Sequence, residues 1–366
     1  MTRGFSAHCL PTALGSLPQV NPLDGIELIL RCLPHIPVWP QLPNADHRES
    51  PAVQFSEGMP FLSFNPEKAR LVLEVSGDIH ALLEPFYSYV AAHDLDYFAV
   101  SRDYARGLHA FIERLWRSKP AQLLMVKGQI IGPISMGLMI PDRRDRPILY
   151  QEEVFDAVRH ALALKARWQV RRLQRLGVRA LIFLDEPLLS GFGTAALQLP
   201  RSRVVEALRG MVFAIQQEGA LVGAHCCGDA DWSLLLEAEV DVISFDAQEH
   251  FPSLLPHADP IHAFLQQGGV LAWGIVPVTA GLSELTSLPQ KEAVRQLHQD
   301  FLEKTAELAR RGIQKNLLFK QSLLTPACGL GALKFTQAED ALRLLADVSD
   351  SIRADFGEKK QKKRKN

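Results

Sequence analysis

Short apolar runs alternate with longer segments of helical periodicity from about residue 120 towards the end of the chain. The runs are rich in Val, Ile and Leu and cover residues 121–128, 179–187, 220–228, 241–247, 270–276 and 316–324. Because they are apolar almost without interruption, they are typical of strands that are buried on both faces. Their alternation with helical segments predicts βα units around a parallel sheet.

Three of the intervening segments have a clear amphipathic pattern. They cover residues 152–176, 202–218 and 291–311, with apolar residues at helical spacing and charged residues opposite. A glycine follows each segment, at Gly177, Gly219 and Gly312. Glycine is the residue that most readily adopts the left-handed conformation with which many helices end. The pattern therefore predicts three helices, each followed by a turn into a strand.

The pattern ahead of residue 120 is weaker. Residues 12–16 (TALGS) form a candidate first strand, and residues 36–41, 52–56 and 97–101 compete for the second. Two early strands and six later ones would make eight, which predicts an α/β fold: a single (β/α)₈ TIM barrel with an N-terminal loop extension at residues 42–60. An open doubly wound sheet is the alternative, but no GxGxxG or GxxxxGK[ST] motif follows a strand.

Composition and charge narrow the class of protein. The 366 residues include 40 Lys and Arg against 41 Asp and Glu, and six of those basic residues lie in the last eight positions. The sequence therefore predicts a barrel domain over residues 1–355, without a basic surface for nucleic acid, and a disordered basic tail over residues 356–366. Because no apolar stretch is long enough for a membrane helix or a signal peptide, we expect no membrane partner and a cytoplasmic location.

The cysteines suggest chemistry at the ends of the strands. His225 and Cys227 are two positions apart at the end of one predicted strand, so they share a face, and Cys226 points away. Cys328 follows the last predicted strand, and Asp246 ends the strand between them. Two thiols, an imidazole and a carboxylate form a tetrahedral ligand set that favours zinc. The alternative is that these are ordinary buried side chains.

Five motifs carry a resemblance to a known family. PTALGSLPQ near the N-terminus, KGQIIGPIS at 127–135, LDEP at 184–187, HCC at 225–227 and PACGLG at 326–331 resemble, in the same order, the C-terminal catalytic barrel of cobalamin-independent methionine synthase. The resemblance covers residues 11 to 345. It implies a zinc-dependent methyltransferase on a (β/α)₈ barrel.

The resemblance also implies roles for individual residues. His225, Cys227 and Cys328 match the zinc-binding His and two Cys of the family, and Asp246 falls where the family has a zinc-binding Glu. Gly15 and Ser16 match the segment that holds the homocysteine carboxylate, and Asp185 matches the Asp that binds the homocysteine amine. No catalytic residue is predicted beyond the metal site.

Two departures from the family bear on the methyl donor. The chain lacks the N-terminal half of the folate-using enzymes, and Pro277 and Thr279 stand where those enzymes have a proton-donating His. Since a folate leaving group needs a proton, we expect a methylcobamide donor, carried by a corrinoid protein, and a thiol acceptor such as homocysteine.

Three other functions stay open at this point. One is a methyltetrahydrofolate-dependent enzyme of the methionine synthase type, and another is a zinc- or corrinoid-binding protein without turnover. The third is a decarboxylase that resembles uroporphyrinogen decarboxylase, whose PVW segment is echoed at residues 37–39. That enzyme has arginines directly after the segment, whereas PQLPNAD follows here.

Overall fold

The computed structural model of the chain describes residues 5–74 and 77–365, with side chains up to residue 356. Its strands are β1 (Leu10–Pro11), β2 (Leu62–Asn65), β3 (Arg70–Leu73), β4 (Met125–Ile131), β5 (Arg179–Asp185), β6 (Leu221–Cys226), β7 (Val242–Asp246), β8 (Val270–Val276) and β9 (Ser322–Pro326).

Seven of these strands form one parallel sheet in the order β1-β9-β8-β7-β6-β5-β4. Helices connect the successive strands, so their carboxyl ends all lie at the same edge of the sheet. The fold is therefore a mixed α/β fold with a curled parallel sheet, as the alternation of apolar runs predicts.

The segment at residues 36–41 lies between the two outermost strands of this sheet. A single parallel bridge joins Val38 to Lys127 on β4, and another joins Ser16, just beyond β1, to Gln41. Of the three candidate segments for the second strand, this one contacts both outermost strands of the sheet or the residues next to them. It contains two proline residues that flank Val38 and Trp39, and proline lacks the N–H that a regular ladder needs.

Helices cover the outside of the sheet. They are α1 (Pro22–Cys32), α2 (Pro51–Gln54), α3 (His80–Ala91), α4 (Arg106–Arg117), α5 (Pro133–Met139), α6 (Glu152–Gln174), α7 (Arg201–Gln217), α8 (Ser233–Glu237), α9 (Ala258–Gln266), α10 (Ala280–Ser287), α11 (Gln290–Arg310), α12 (Lys315–Lys320) and α13 (Phe335–Lys365). Short 3₁₀ helices lie at His47–Glu49, Ile148–Tyr150, Pro187–Gly191 and Phe251–His257.

The three predicted amphipathic helices are confirmed as α6, α7 and α11, within two residues at each end. Gly177, Gly219 and Gly312 have φ of +77°, +79° and +100°, the left-handed conformation predicted for them. In each case the glycine lets the chain turn from the helix towards the next strand.

Four of the predicted strand segments are wrong in whole or in part. The candidate first strand at residues 12–16 lies just after β1, which ends at Pro11. The first half of the run at 316–324 is helix α12, in which Leu318 and Phe319 are buried and the lysines at both ends are exposed. A short apolar run does not distinguish a buried strand from a helix with one buried face. Residues 52–56 overlap α2, which begins at Pro51, because proline is favoured in the first turn of a helix. Residues 97–101 contain no strand either.

The predicted loop at residues 42–60 is anchored by buried polar groups. It contains a 3₁₀ helix and α2, and the side chain of Glu49 is fully buried. The Glu49 carboxylate accepts hydrogen bonds from the N–H groups of Leu42 and Arg106. The antiparallel hairpin of β2 and β3 follows the loop and was not predicted.

Helix α13 continues through Lys365, so its backbone includes most of the segment for which the sequence predicts disorder. The boundary at residue 355 stays a prediction. Among the described residues, no helix is long and apolar enough to cross a membrane.

The core has two parts. A large apolar cluster lies between the sheet and its helices, and a smaller one lies on the inner, concave side of the sheet. Side chains from all seven strands of the parallel sheet meet in the smaller cluster, including Leu10, Met125, Phe183, Val242 and Leu323. Further along the same strands, polar side chains replace the apolar ones. They lie closer to the carboxyl edge of the sheet, where a functional site is expected in a parallel sheet.

Candidate active site

A cluster of two thiols and one imidazole lies at the carboxyl edge of the sheet. His225 is the second-to-last residue of β6, Cys227 follows this strand directly, and Cys328 follows β9. Their ligand atoms all lie within 4.8 Å of one another. Cys226 is not a member of this group, and its Sγ lies 3.8 Å from the carbonyl oxygen of Gly228.

The imidazole of His225 is oriented by β7. Its Nδ1 lies 3.0 Å from the hydroxyl oxygen of Ser244, the residue opposite His225 in the register of β6 and β7. Its Nε2 is buried and has no hydrogen-bond partner among the residues that the structure describes. A buried nitrogen without a partner is costly unless a further group binds it. The donor set and this free nitrogen fit a zinc ion.

The two thiols influence each other. A hydrogen bond from Cys328 lowers the pKa of Cys227 below its ordinary value. The same bond, together with burial, raises the pKa of Cys328. Cys227 therefore loses its proton more readily than Cys328, and a bound cation would favour the loss of both protons.

Asp246 is not a member of this group. It ends β7 as predicted, but its carboxylate belongs to a second cluster, with Glu249 and His250. Its Oδ1 accepts hydrogen bonds from the N–H groups of Gln248 and Glu249, at 2.7 and 3.1 Å. These bonds hold the carboxylate in the turn that follows β7. Its role as the fourth ligand stays a prediction.

Asp185 ends β5, directly opposite His225 in the register of β5 and β6. Its Oδ1 is buried and has no hydrogen-bond partner in the described part of the chain. Burial raises the pKa of Asp185, and the nearby ammonium of Lys127 opposes this change. A carboxylate oxygen that is buried and unpaired is suited to bind a positively charged group of a ligand.

Gly15 and Ser16 follow β1 and lie next to the turn that carries Cys328. The N–H of Leu330 donates to the carbonyl oxygen of Ser16 at 2.9 Å. A side chain at Gly329 would collide with the Ser16 hydroxyl, so the two loops are in close contact. Gly15 has a φ of +142°, which other residues rarely adopt.

Three residues of this site were not predicted from the sequence: Lys127, Gln129 and Ser244. All three side chains are fully buried. The signal for the first two was the pair of polar residues, two positions apart, inside the apolar run that becomes β4. Two such residues lie on one face of a strand. No comparable signal marks Ser244, whose importance depends on its register opposite His225.

Charged side chains also lie near Thr279, where the family has a proton-donating histidine. The Thr279 hydroxyl donates to Glu249 at 3.5 Å, and His250 Nδ1 lies 2.9 Å from Asp229. Ionisable side chains therefore lie near Thr279, although they belong to the loops after β6 and β7 and not to the loop after β8.

The catalytic region matches a known protein family. A family model described as "Cobalamin-independent synthase, Catalytic domain" matches residues 109–351, which is about two thirds of the 366-residue chain. The matched region contains Asp185 and all four predicted metal ligands, whereas Gly15 and Ser16 lie outside it. No curated protein matches the chain.

The description of this family corrects the predicted donor. A cobalamin-independent synthase is at odds with a methylcobamide donor and with a corrinoid protein as partner. That prediction depended on the missing histidine at Thr279. The absence of one histidine is weak evidence, because other ionisable side chains, such as Glu249, lie at the same place.

Proposed function

The chain belongs to the family of the cobalamin-independent synthase catalytic domain, and on this premise we propose that it is a zinc-dependent methyltransferase that forms methionine from homocysteine. Methyl transfer to homocysteine is the activity that the family suggests. The observation that carries the proposal is the group of His225, Cys227 and Cys328, with a buried and unpartnered imidazole nitrogen among two thiols.

Zinc bound by these three residues would act as a Lewis acid that keeps the sulfur of the acceptor ionised at neutral pH, where few free thiols are ionised. The residues of the chain supply the geometry. Ser244 fixes the orientation of His225, and the turn at residues 327–331 places Cys328 opposite β6. These three ligands leave a fourth position, from which the acceptor would displace the predicted ligand Asp246, since a catalytic zinc site keeps one position open to substrate.

The amino-acid end of homocysteine is proposed to bind between Asp185 and the Gly15–Ser16 segment. The unpaired Oδ1 of Asp185 would accept hydrogen bonds from the substrate ammonium. The carboxylate would lie against the backbone of Gly15 and Ser16, a segment that packs on the amide of Gln129. Because these groups adjoin His225 and Cys328, one small molecule can contact them and the metal site together.

We further propose that the fold is a closed eight-stranded barrel. The segment at residues 36–41 occupies the eighth position, since its bridges reach both β4 and the residues after β1. A closed barrel would explain why Lys127 and Gln129 are fully buried on the concave side of the sheet.

The proposed methyl donor is a methyltetrahydrofolate, which is the donor in this family. The donor would approach from the carboxyl edge of the strands, since the opposite end of the concave side is filled by the smaller apolar cluster.

The test combines metal analysis with a transfer assay. The purified protein should contain one zinc per chain, and Cys328→Ala should lose most of it, whereas the matched variant Cys226→Ala should retain it. The zinc-loaded protein should form methionine from homocysteine and methyltetrahydrofolate. Absence of zinc from the wild type, or full retention by Cys328→Ala with the fold intact, would contradict the proposal. Methionine formed only from methylcobalamin would contradict the proposed donor.

A further inference from the structure

Lys127 is a charged residue buried inside the sheet. It lies on β4, and its side chain points to the concave side, as does that of Met125 two residues earlier. The residue is fully buried, and its ammonium lies 4.2 Å from the centre of the Phe183 ring. Taking an ammonium out of water is unfavourable by several kcal/mol unless other groups compensate for it.

Two groups compensate for this charge. The Nζ of Lys127 donates a hydrogen bond to the carbonyl oxygen of Leu14 at 2.8 Å. The carboxylate of Asp185 attracts the ammonium: burial lowers the pKa of Lys127, and Asp185 opposes this change. Lys127 is thus linked both to the residue before Gly15 and to the residue proposed to bind the substrate amine.

The Leu14–Ser16 segment depends on side chains from β4. Strand β1 ends at Pro11, so no regular ladder holds the residues after Thr12. The Gly15 carbonyl accepts a bond from the N–H of Gln41 at 3.0 Å, and Gly15 packs directly on the amide of Gln129. The bond from Lys127 to Leu14 fixes the segment from the concave side.

We propose that Lys127 is a positioning residue of the acceptor pocket, whose buried ammonium holds the Leu14–Ser16 segment beside Asp185 and makes the pocket selective for thiols that carry an α-amino acid group. This inference rests on the proposed function, because it assigns the two ends of the acceptor to these groups. The physical reason is charge balance. With Lys127 and Asp185 together the pocket is neutral, so it accepts a zwitterion, which brings one charge of each sign.

The opposing interpretation is that Lys127 only joins β4 to the segments at residues 12–16 and 36–41. Such a role would affect the binding of every thiol alike. A selective role would affect only thiols with the amino-acid group.

The experiment measures equilibrium binding by calorimetry on the zinc-loaded protein. The two ligands are L-homocysteine and 3-mercapto-1-propanol, a thiol of similar length without the ammonium and carboxylate. Lys127→Met should raise the dissociation constant for homocysteine at least tenfold and change that for 3-mercapto-1-propanol less than twofold. The matched control is Lys165→Met, since Lys165 is also fully buried but bonds to Ala99 on the outer side of the sheet. It should change neither constant more than twofold.

Equal weakening of both thiols in Lys127→Met, or no weakening of homocysteine, would overturn the proposal. So would equal affinity of the wild type for the two thiols. Should Lys127→Met not fold, the double variant Lys127→Met, Asp185→Asn replaces it, because it leaves no buried charge unpaired. This double variant should bind homocysteine at least tenfold more weakly than Asp185→Asn alone, and equal affinities would overturn the proposal.

The results of this experiment can be distinguished from a failure of the proposed function. A wild type that binds homocysteine selectively but transfers no methyl group would contradict the function and leave the role of Lys127 supported. A wild type that forms methionine, with a Lys127→Met variant that is equally selective, would contradict the role of Lys127 alone.

Discussion

The contact between His225 and Ser244 shows how a single hydroxyl orients the imidazole of a candidate metal ligand. Within the described part of the chain, the Nδ1 of His225 has a hydrogen-bond partner and the Nε2 has none, so the proton would reside on Nδ1 when Nε2 binds a cation. Ser244→Ala should therefore weaken zinc binding by about 10- to 100-fold, the usual effect when a group that orients a ligand is removed. Competition with a chelator of known affinity measures it.

The control for this prediction is Ser322→Ala. Ser322 is fully buried as well, but its hydroxyl bonds to Trp273 and to the Leu318 carbonyl on the outer side of the sheet. We expect its zinc affinity to equal that of the wild type. An equal loss in both variants would show that any buried serine deletion perturbs the metal site.

Asp185 leads to a prediction about the acceptor. Its buried Oδ1 is free to accept hydrogen bonds from an ammonium. Asp185→Asn should weaken homocysteine binding by roughly 1.5 to 3 kcal/mol, the usual loss when a charge-assisted hydrogen bond is removed. Calorimetry would show this, and zinc content should stay the same. For 4-mercaptobutanoate, which lacks the amine, the variant should bind no worse than the wild type. A parallel loss for both ligands would contradict the assignment of Asp185 to the amine.

At the scale of elements, the carboxylate of Glu186 joins β5 to α5. It is fully buried and accepts hydrogen bonds from the N–H groups of Ile134 and Ser135, at the start of α5. Burial raises the pKa of Glu186 from its ordinary 4.5 to about 7. Between these values the folded protein holds a proton that the unfolded chain has released. The free energy of unfolding therefore falls as the pH rises through this interval.

Glu186→Gln should remove this dependence, because the amide does not ionise. The variant is expected to be less stable than the wild type at pH 5, and the difference should shrink by up to roughly 3 kcal/mol by pH 8. Urea unfolding at a series of pH values measures this. The exposed Glu67 offers the control, since Glu67→Gln should leave the pH profile as it is. A constant difference between Glu186→Gln and wild type would show that Glu186 is ionised throughout.

The elements also show how far the sequence predicts the structure. The strands that end in Asp185, Cys226 and Asp246 were predicted nearly to the residue, since buried parallel strands are continuously apolar. Helix α12 was missed because a run of three apolar residues fits both a strand and a helix. The segment between β1 and β4 was one of three candidates for the second strand, and the sequence did not single it out, because single bridges replace a regular ladder there.

The candidate site was predictable to a similar degree. The alternation of side chains along a strand placed His225 and Cys227 on one face, and the position after the last strand indicated Cys328. The resemblance to a known family supplied Asp185 and the Gly15–Ser16 segment. The position of Asp246 in the following turn depends on its bonds to two backbone N–H groups. The hydrogen bond from Lys127 to Leu14 joins residues that are 113 positions apart, so no local sequence pattern predicts it.

For the whole molecule, the metal site joins distant parts of the chain. Cys227 follows β6 and Cys328 follows β9, with β7 and β8 between them in the sheet. A cation that binds both sulfurs binds only the folded chain with full affinity, so zinc should raise the free energy of unfolding. At a free zinc concentration one hundred times the dissociation constant, the gain is about 2.7 kcal/mol.

Thermal unfolding with and without zinc tests this linkage between the site and the fold. The midpoint temperature of unfolding of the wild type should rise when zinc is added and return to its original value when a chelator is added. Cys328→Ala should lose most of the rise, because it removes the ligand after β9. Cys226→Ala should keep the full rise even if its starting midpoint is lower, since this buried thiol contacts Gly228 and lies outside the metal group. A rise of the same size in Cys328→Ala would show that zinc stabilises the protein at a different place, such as the cluster of Asp246, Glu249 and His250.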